Sequence, residues 1–263
     1  MGLAFVVVLW IIAGSTVWIF IDRVWWFPEL ISVQGQAIDQ QFNLTLIVVG
    51  VTFFLAQVAL GYFIWRYRAR GTERATYWHE SPKLEATWTI ATAVIFISLS
   101  IQGNRVWVGL RLTEPPPDAI PIELTGQLFA WPIRYPGPDG MFGRTEPRLI
   151  NDSSGNPLGL DDRDPAARDD VVGPTMAVPV NRPVRLILRA KDVTHSFFVP
   201  QLRLKQDTVP GMAITIHFTT TKVGKYEIAC AELCGLGHYK MKSFFEVMTE
   251  EDFKNWLKQQ AGQ

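Results

Sequence analysis

Cys230-Ala-Glu232-Leu-Cys234-Gly-Leu-Gly-His238-Tyr-Lys-Met241 holds both cysteines of this 263-residue chain, and an isolated histidine lies upstream in Asp192-Val-Thr-His195-Ser. Two thiolates, two imidazoles and a thioether form a soft donor set. Such a set selects copper, zinc or iron–sulfur over magnesium or calcium, and the methionine tips the choice toward copper. Four plainer readings compete. One face of a buried helix would have to accommodate Gly235 and Gly237, each costing about 1 kcal/mol in a helix interior. A Cys230–Cys234 disulfide requires an oxidising compartment. A zinc site of two cysteines and two histidines leaves Met241 without a role. A mononuclear blue-copper centre needs only one of the two cysteines. Two thiolates bridging two copper ions use every ligand.

The pattern Cys-x3-Cys-x3-His-x2-Met, with Glu between the cysteines and a histidine upstream, resembles the dinuclear copper (CuA) motif of cytochrome c oxidase subunit II. The resemblance implies bridging Cys230 and Cys234, terminal His195 and His238, axial Met241, and the backbone carbonyl of Glu232 as the last ligand. It also implies that the Glu232 side chain reaches a magnesium ion at the interface with the catalytic subunit, with Asp207 supporting that region, and that Asp192 assists electron arrival.

The apolar residues concentrate in the first 110 positions. Leu3–Ile21 and Leu44–Trp65 have the length of membrane spans. Ala86–Ile101 is shorter and crosses only if its helix extends into Leu84 and toward Val106. Residues 1–27 read as a retained transmembrane helix in preference to a cleaved signal sequence, because no basic stretch precedes the apolar run. The connection 66–83 carries Arg66, Arg68, Arg70, Arg74 and Lys83, whereas the loop Asp22–Gln41 has Arg23 as its one base. The positive-inside rule makes 66–83 cytoplasmic and everything after the third span extracytoplasmic. Glu85, in Leu84-Glu85-Ala-Thr-Trp88-Thr, reads either as a boundary residue reaching water or, by the resemblance, as the mouth of a proton path into the catalytic subunit. The family usually has two spans, so residues 1–27 are an addition to the hairpin 28–113.

Glu114-Pro-Pro-Pro117-Asp118 is a semi-rigid linker (114–118), since consecutive prolines cannot continue a helix. Beyond it the chain alternates with the period of strands: Val184, Leu186 and Leu188; Ile214, Ile216 and Phe218; Tyr226, Ile228 and Cys230. Val209-Pro210-Gly211 reads as a turn, and His217 points away from the apolar face. The resemblance implies a cupredoxin-like Greek-key domain over 119–248. Within Gly126–Pro136 it places the family's aromatic segment, with Phe129 where a tryptophan is usual, so Phe129 and Trp131 are both electron-accepting candidates. Residues 137–173 form an insertion rich in Gly, Pro, Asn and Asp; its run Asp161–Asp170 reads as a solvated loop or as a docking patch for a basic donor. Thr249 followed by Glu250, Glu251 and Asp252 caps an amphipathic helix over 249–263.

Formal net charge is zero, with 25 basic and 25 acidic residues, which gives no reason to expect nucleic acid. No Cys-x-x-Cys-His occurs, so no covalently attached haem is expected in this chain. The family resemblance implies an electron-transfer subunit of a respiratory oxidase in the cell (inner) membrane. It would pass electrons from cytochrome c or a c-type cytochrome domain through CuA to haem in subunit I, and the complex would reduce oxygen. Two alternatives remain: a CuA subunit of a nitric oxide reductase, and a membrane-anchored thiol or copper-handling protein. The quinol-oxidising branch of the family has lost the copper ligands, and all of them are present here.

Overall fold

The computed structural model describes residues 2–69, 71–72 and 74–262; Met1 of the stretch 1–27 and Arg70 of the basic connection 66–83 lie outside the described residues. The chain forms two compact units. Residues 1–27 and 38–107 make the first, and residues 28–37 and 108–263 the second.

The first unit is built from three helices, α1 (Gly2–Ile21), α2 (Val33–Arg66) and α3 (Pro82–Arg111), each long and apolar enough to cross a bilayer. α3 extends past both ends of Ala86–Ile101, through Leu84 and Val106, and so reaches spanning length. α2 starts at Val33, not in the region of Leu44 where its apolar run begins, so half of the expected loop Asp22–Gln41 is helical. Gln34, Gln36, Gln40 and Gln41 are good helix formers that hydropathy does not register. Val6 and Ala13 of α1 are buried, and α1 meets α2 where the Trp10 indole lies over Gly61, donating to the Gln57 carbonyl at 3.4 Å. A Cβ at Gly61 would overlap that ring.

The second unit is a sandwich of two five-stranded sheets. One has the order β3-β2-β1-β5-β8, with β1 Ile120–Gly126, β2 Ile133–Tyr135, β3 Val171–Gly173, β5 Pro183–Ala190 and β8 Ile214–Thr219. The other has the order β4-β10-β9-β6-β7, with β4 Thr175–Pro179, β6 His195–Val199, β7 Leu204–Thr208, β9 Gly224–Cys230 and β10 Lys242–Met248. β1 pairs parallel with β5 and β4 with β10, and the other pairs are antiparallel. The alternation read from sequence is realised: Val184, Leu186, Leu188, Ile216, Phe218 and Ile228 are buried between the sheets. Residues 209–212 form a turn closed by Met212 N–H donating to Val209 O at 3.1 Å, with Gly211 at φ +80°, where a side chain would be strained. Helix α5 (Glu250–Ala261) is capped by the Thr249 hydroxyl, which accepts from Asp252 N–H. Its Phe253 and Trp256 pack on Tyr135.

Two expectations are corrected. The hairpin drawn as 28–113 loses its first ten residues to the β unit. Ile31 is fully buried there, donating to Gln201 O and accepting from Thr221 N–H, and Ser32 bridges Thr220. Such pairing between residues almost two hundred positions apart leaves no local signal. The acidic run in the insertion 137–173 is not wholly a solvated loop: Asp162 stays exposed, but other acids of the run turn inward. Asp161 is buried between Arg144 and Arg163, Asp164 caps the short helix α4 (Pro165–Arg168), and Asp170 pairs with Arg134 inside the domain. Arginines from within and beside the insertion neutralise Asp161 and Asp170.

Candidate metal centre

β9 delivers Cys230 at its last position, beside β6: Phe197 and Cys230 are register partners, and Ala231 N–H donates to Ser196 O at 3.0 Å. β6 begins at His195. The chain leaves β9, turns through residues 231–240 and rejoins the sheet, where Cys230 N–H donates to Met241 O at 3.2 Å. The loop is therefore anchored at both ends by ladder bonds. Gly235, at φ +132°, takes a backbone conformation that other residues rarely adopt, and both loop glycines lie against the Phe129 ring. A Cβ at Gly237 would overlap that ring, so the aromatic lid requires the glycine.

The donor atoms converge. The Cys230 and Cys234 sulfurs are 3.8 Å apart, Cys234 Sγ is 3.7 Å from both His238 Nδ1 and Met241 Sδ, and Cys230 Sγ is 3.2 Å from the Glu232 carbonyl oxygen. Ligand atoms of His195, Cys230 and Cys234 all lie within 4.8 Å of one another. Thiolate–metal bonds of about 2.3 Å let a single ion touch both sulfurs at this separation. Both cysteines are free thiols, Met241 is buried, and His195 has no exposed surface.

His195 shows how the site is prepared for a metal. Its Nε2 lies 2.7 Å from Asp192 Oδ1, while Nδ1 is buried without a hydrogen-bond partner. Nε2–H donating to the carboxylate leaves the buried Nδ1 lone pair available as a donor, the kind of arrangement in which a carboxylate orients an imidazole for a metal. Burial works against ionisation of Asp192, but the His195 hydrogen bond and the Leu128 and Val193 amides outweigh it and hold the carboxyl below its usual range. Gly126 makes room behind the imidazole, since a Cβ there would sit 2.7 Å from His195 Cδ2. The Cys234 thiol is pushed up to about 11, first by burial and then by the neighbouring Cys230 sulfur. The orphaned imidazole nitrogen and the soft donor set fit copper.

Trp131 is 2% exposed and meets His195 edge-on at 5.9 Å between centroids, whereas Phe129 is 40% exposed above the loop. His217 lies on the outward face of β8, opposite Arg185, away from the cluster. Asp207 accepts from the Ser196 hydroxyl and from Lys205. The Glu232 side chain is exposed. Glu85 is in the first turn of α3, in the helical unit. Sequence reasoning missed Gly126 and Gly237 as supports of the site. The signal was an isolated glycine next to a functional residue, but it has meaning only once the facing ring is known.

Residues 22–105 match the family model described as "Cytochrome C oxidase subunit II, transmembrane domain", and residues 163–248 match the one described as "Cytochrome C oxidase subunit II, periplasmic domain". The alternative cytochrome c oxidase subunit 2 of Bradyrhizobium diazoefficiens is 34% identical over 97% of this chain and 90% of its own length. The cytochrome c oxidase subunit 2 of Thermostichus vulcanus is 32% identical, covering 88% of this chain and 77% of the relative. Among solved structures, the periplasmic domain of subunit II of a Bradyrhizobium japonicum cytochrome oxidase is 26% identical, covering 57% of this chain and 98% of that one, with a TM-score of 0.42. With both units matched and a relative aligned along nearly the whole length, the chain belongs to the cytochrome c oxidase subunit II family.

Proposed function

We propose that His195, Cys230, Glu232 (through its carbonyl), Cys234, His238 and Met241 hold a dinuclear copper centre through which this oxidase subunit accepts electrons from cytochrome c. The electrons then pass to haem in the catalytic subunit I. The observation that carries this reading is the convergence of two sulfurs, a thioether and two imidazoles on one buried point, with His195 Nδ1 left unpartnered. Copper held by Cys230, Cys234, His195, His238 and Met241 would supply one-electron transfer. The chain's own contribution is rigidity: the loop is tied to β6 and β10, and Asp192 fixes the His195 ring, so little moves as the charge changes. The matched periplasmic-domain model and the basic connection 66–83 support an extracytoplasmic β domain, and with it the reading of a bacterial inner-membrane protein. A magnesium ion held by the exposed Glu232 carboxylate at the subunit I interface, and a proton path starting at Glu85, are carried over from the family on matching residues.

In this reading Phe129, exposed above the loop, meets the donor, while buried Trp131 packs edge-on against His195. Phe129→Ala should slow reduction of the centre by reduced cytochrome c about tenfold or more in stopped flow, the loss expected of an aromatic anchor, with the copper absorbance unchanged. Unaltered kinetics would remove Phe129 from the route.

Metal loading carries a sign in pH. Metal must displace the thiol protons, and the Cys234 thiol stays protonated below about 11. Apparent copper affinity of the metal-free protein should therefore rise with pH, by about tenfold per unit for each proton displaced. Competition titrations with a chelator at about pH 6, 7 and 8 measure this slope, and a flat profile would contradict thiolate ligation.

A further inference from the structure

Beyond the Trp10–Gly61 contact, α1 and α2 leave between them a groove of about 770 Å³. Along α2 it runs from Asn43 to Leu55, twelve residue steps, or about 18 Å at 1.5 Å per residue. That is roughly the depth of one leaflet, half of a hydrocarbon core of about 30 Å. Its walls are apolar, and its polar residues are Arg23, Asn43 and Thr16. The Arg23 guanidinium lies 5.5 Å from the Trp26 ring centroid, and Trp26 in turn meets Phe42 edge-on, an aromatic group of the kind that marks the bilayer surface. No carboxylate pairs with Arg23 among the described residues. The next segment, residues 28–37, belongs to the β unit, so this is the extracytoplasmic end.

A helix from a neighbouring subunit would need a groove running the full span, lined by small residues. This one has the length of a leaflet and a cation at its mouth. We propose that it binds one anionic phospholipid of the extracytoplasmic leaflet, with the phosphate on Arg23 and the acyl chains along Asn43–Leu55. The additional helix α1 thereby creates a lipid site that a two-span hairpin lacks.

Gly50 lines the groove, and a Cβ there meets nothing within 4 Å, so a larger side chain fits without disturbing the helices. The test uses the whole oxidase complex, delipidated in mild detergent and titrated with dioleoylphosphatidylglycerol or dioleoylphosphatidylcholine under native mass spectrometry. Wild type should retain one phosphatidylglycerol in preference to phosphatidylcholine. Gly50→Leu should lose it with the subunit composition unchanged. Arg23→Gln should lower the preference for phosphatidylglycerol about fivefold, the factor one basic residue supplies near a membrane surface. Equal retention by wild type and Gly50→Leu, an unchanged preference in Arg23→Gln, or loss of a protein subunit instead of a lipid in Gly50→Leu would each overturn the proposal.

Discussion

Cys234→Ser is expected to leave the β domain folded while electron transfer from cytochrome c falls by more than a hundredfold. Cys234 contacts more of the cluster than any other donor: its sulfur is 3.8 Å from Cys230 Sγ and 3.7 Å from both His238 Nδ1 and Met241 Sδ. Replacing it removes one of the two sulfurs proposed to hold the metal, and the one nearest His238 and Met241. Loss of an outer partner typically costs a metal site 10- to 100-fold, and loss of a bridging ligand should exceed that. Asp192→Asn provides the comparison. It keeps all six proposed ligands but weakens the group that orients His195, so copper affinity should fall by about 10- to 100-fold with the centre still formed. Copper content and turnover measured on both variants separate the roles. Equal turnover in Cys234→Ser and wild type would exclude Cys234 from the centre.

The second large effect lies away from the metal. Arg134 is 2% exposed, pairs with Glu123 and Asp170, and donates to the Gly143 carbonyl. It joins β1, β2 and the insertion in one buried network. Arg134→Met preserves much of the volume but leaves Asp170 buried with only the Gly143 amide as a remaining partner, while Glu123 retains Arg189 at 2.7 Å. Breaking a buried pair by removing one member costs about 3–5 kcal/mol, against a total stability of about 5–15 kcal/mol for a domain. Thermal unfolding, followed by loss of copper absorbance, should shift down on the order of 10 °C. Asp170→Asn combined with Arg134→Met should recover part of that loss, because no uncompensated charge is then buried. A melting temperature unchanged in the single variant would show the network to be dispensable.

These two sites differ in how they could be read from sequence. The metal loop was legible because its ligands are close together in the chain and chemically rare: two cysteines, a histidine and a methionine within twelve positions have few joint uses. His195 is thirty-five positions upstream; it was included on the family resemblance, and the pairing of β6 with β9 is what brings it to the cysteines. The first two apolar helices were legible from the length of their runs, whereas Ala86–Ile101 was short of a span and reaches it through the extension of α3 at both ends. By contrast, Asp161–Asp170 looked like a surface run because its charges are consecutive. Its counter-charges, Arg134 and Arg144, are far enough away that only the fold brings them together. The start of α2 and the β pairing of residues 31–32 were missed for related reasons: polar helical turns have no hydropathy signal, and a bridge to Thr220 has no local one. Trp131 and Phe129 were comparable as aromatics in sequence; burial separates them, one against His195 and the other above the loop.

The central claim, that these residues hold two copper ions as one electron-sharing unit, is tested most directly by electron paramagnetic resonance on the copper-loaded protein, with Cys234→Ser alongside. The expected result is a hyperfine pattern from a single electron shared equally between two copper nuclei, with about two coppers per chain, and its loss in the variant. A mononuclear copper spectrum in the unaltered protein, or the same spectrum in both proteins, would contradict a dinuclear centre bridged by Cys230 and Cys234.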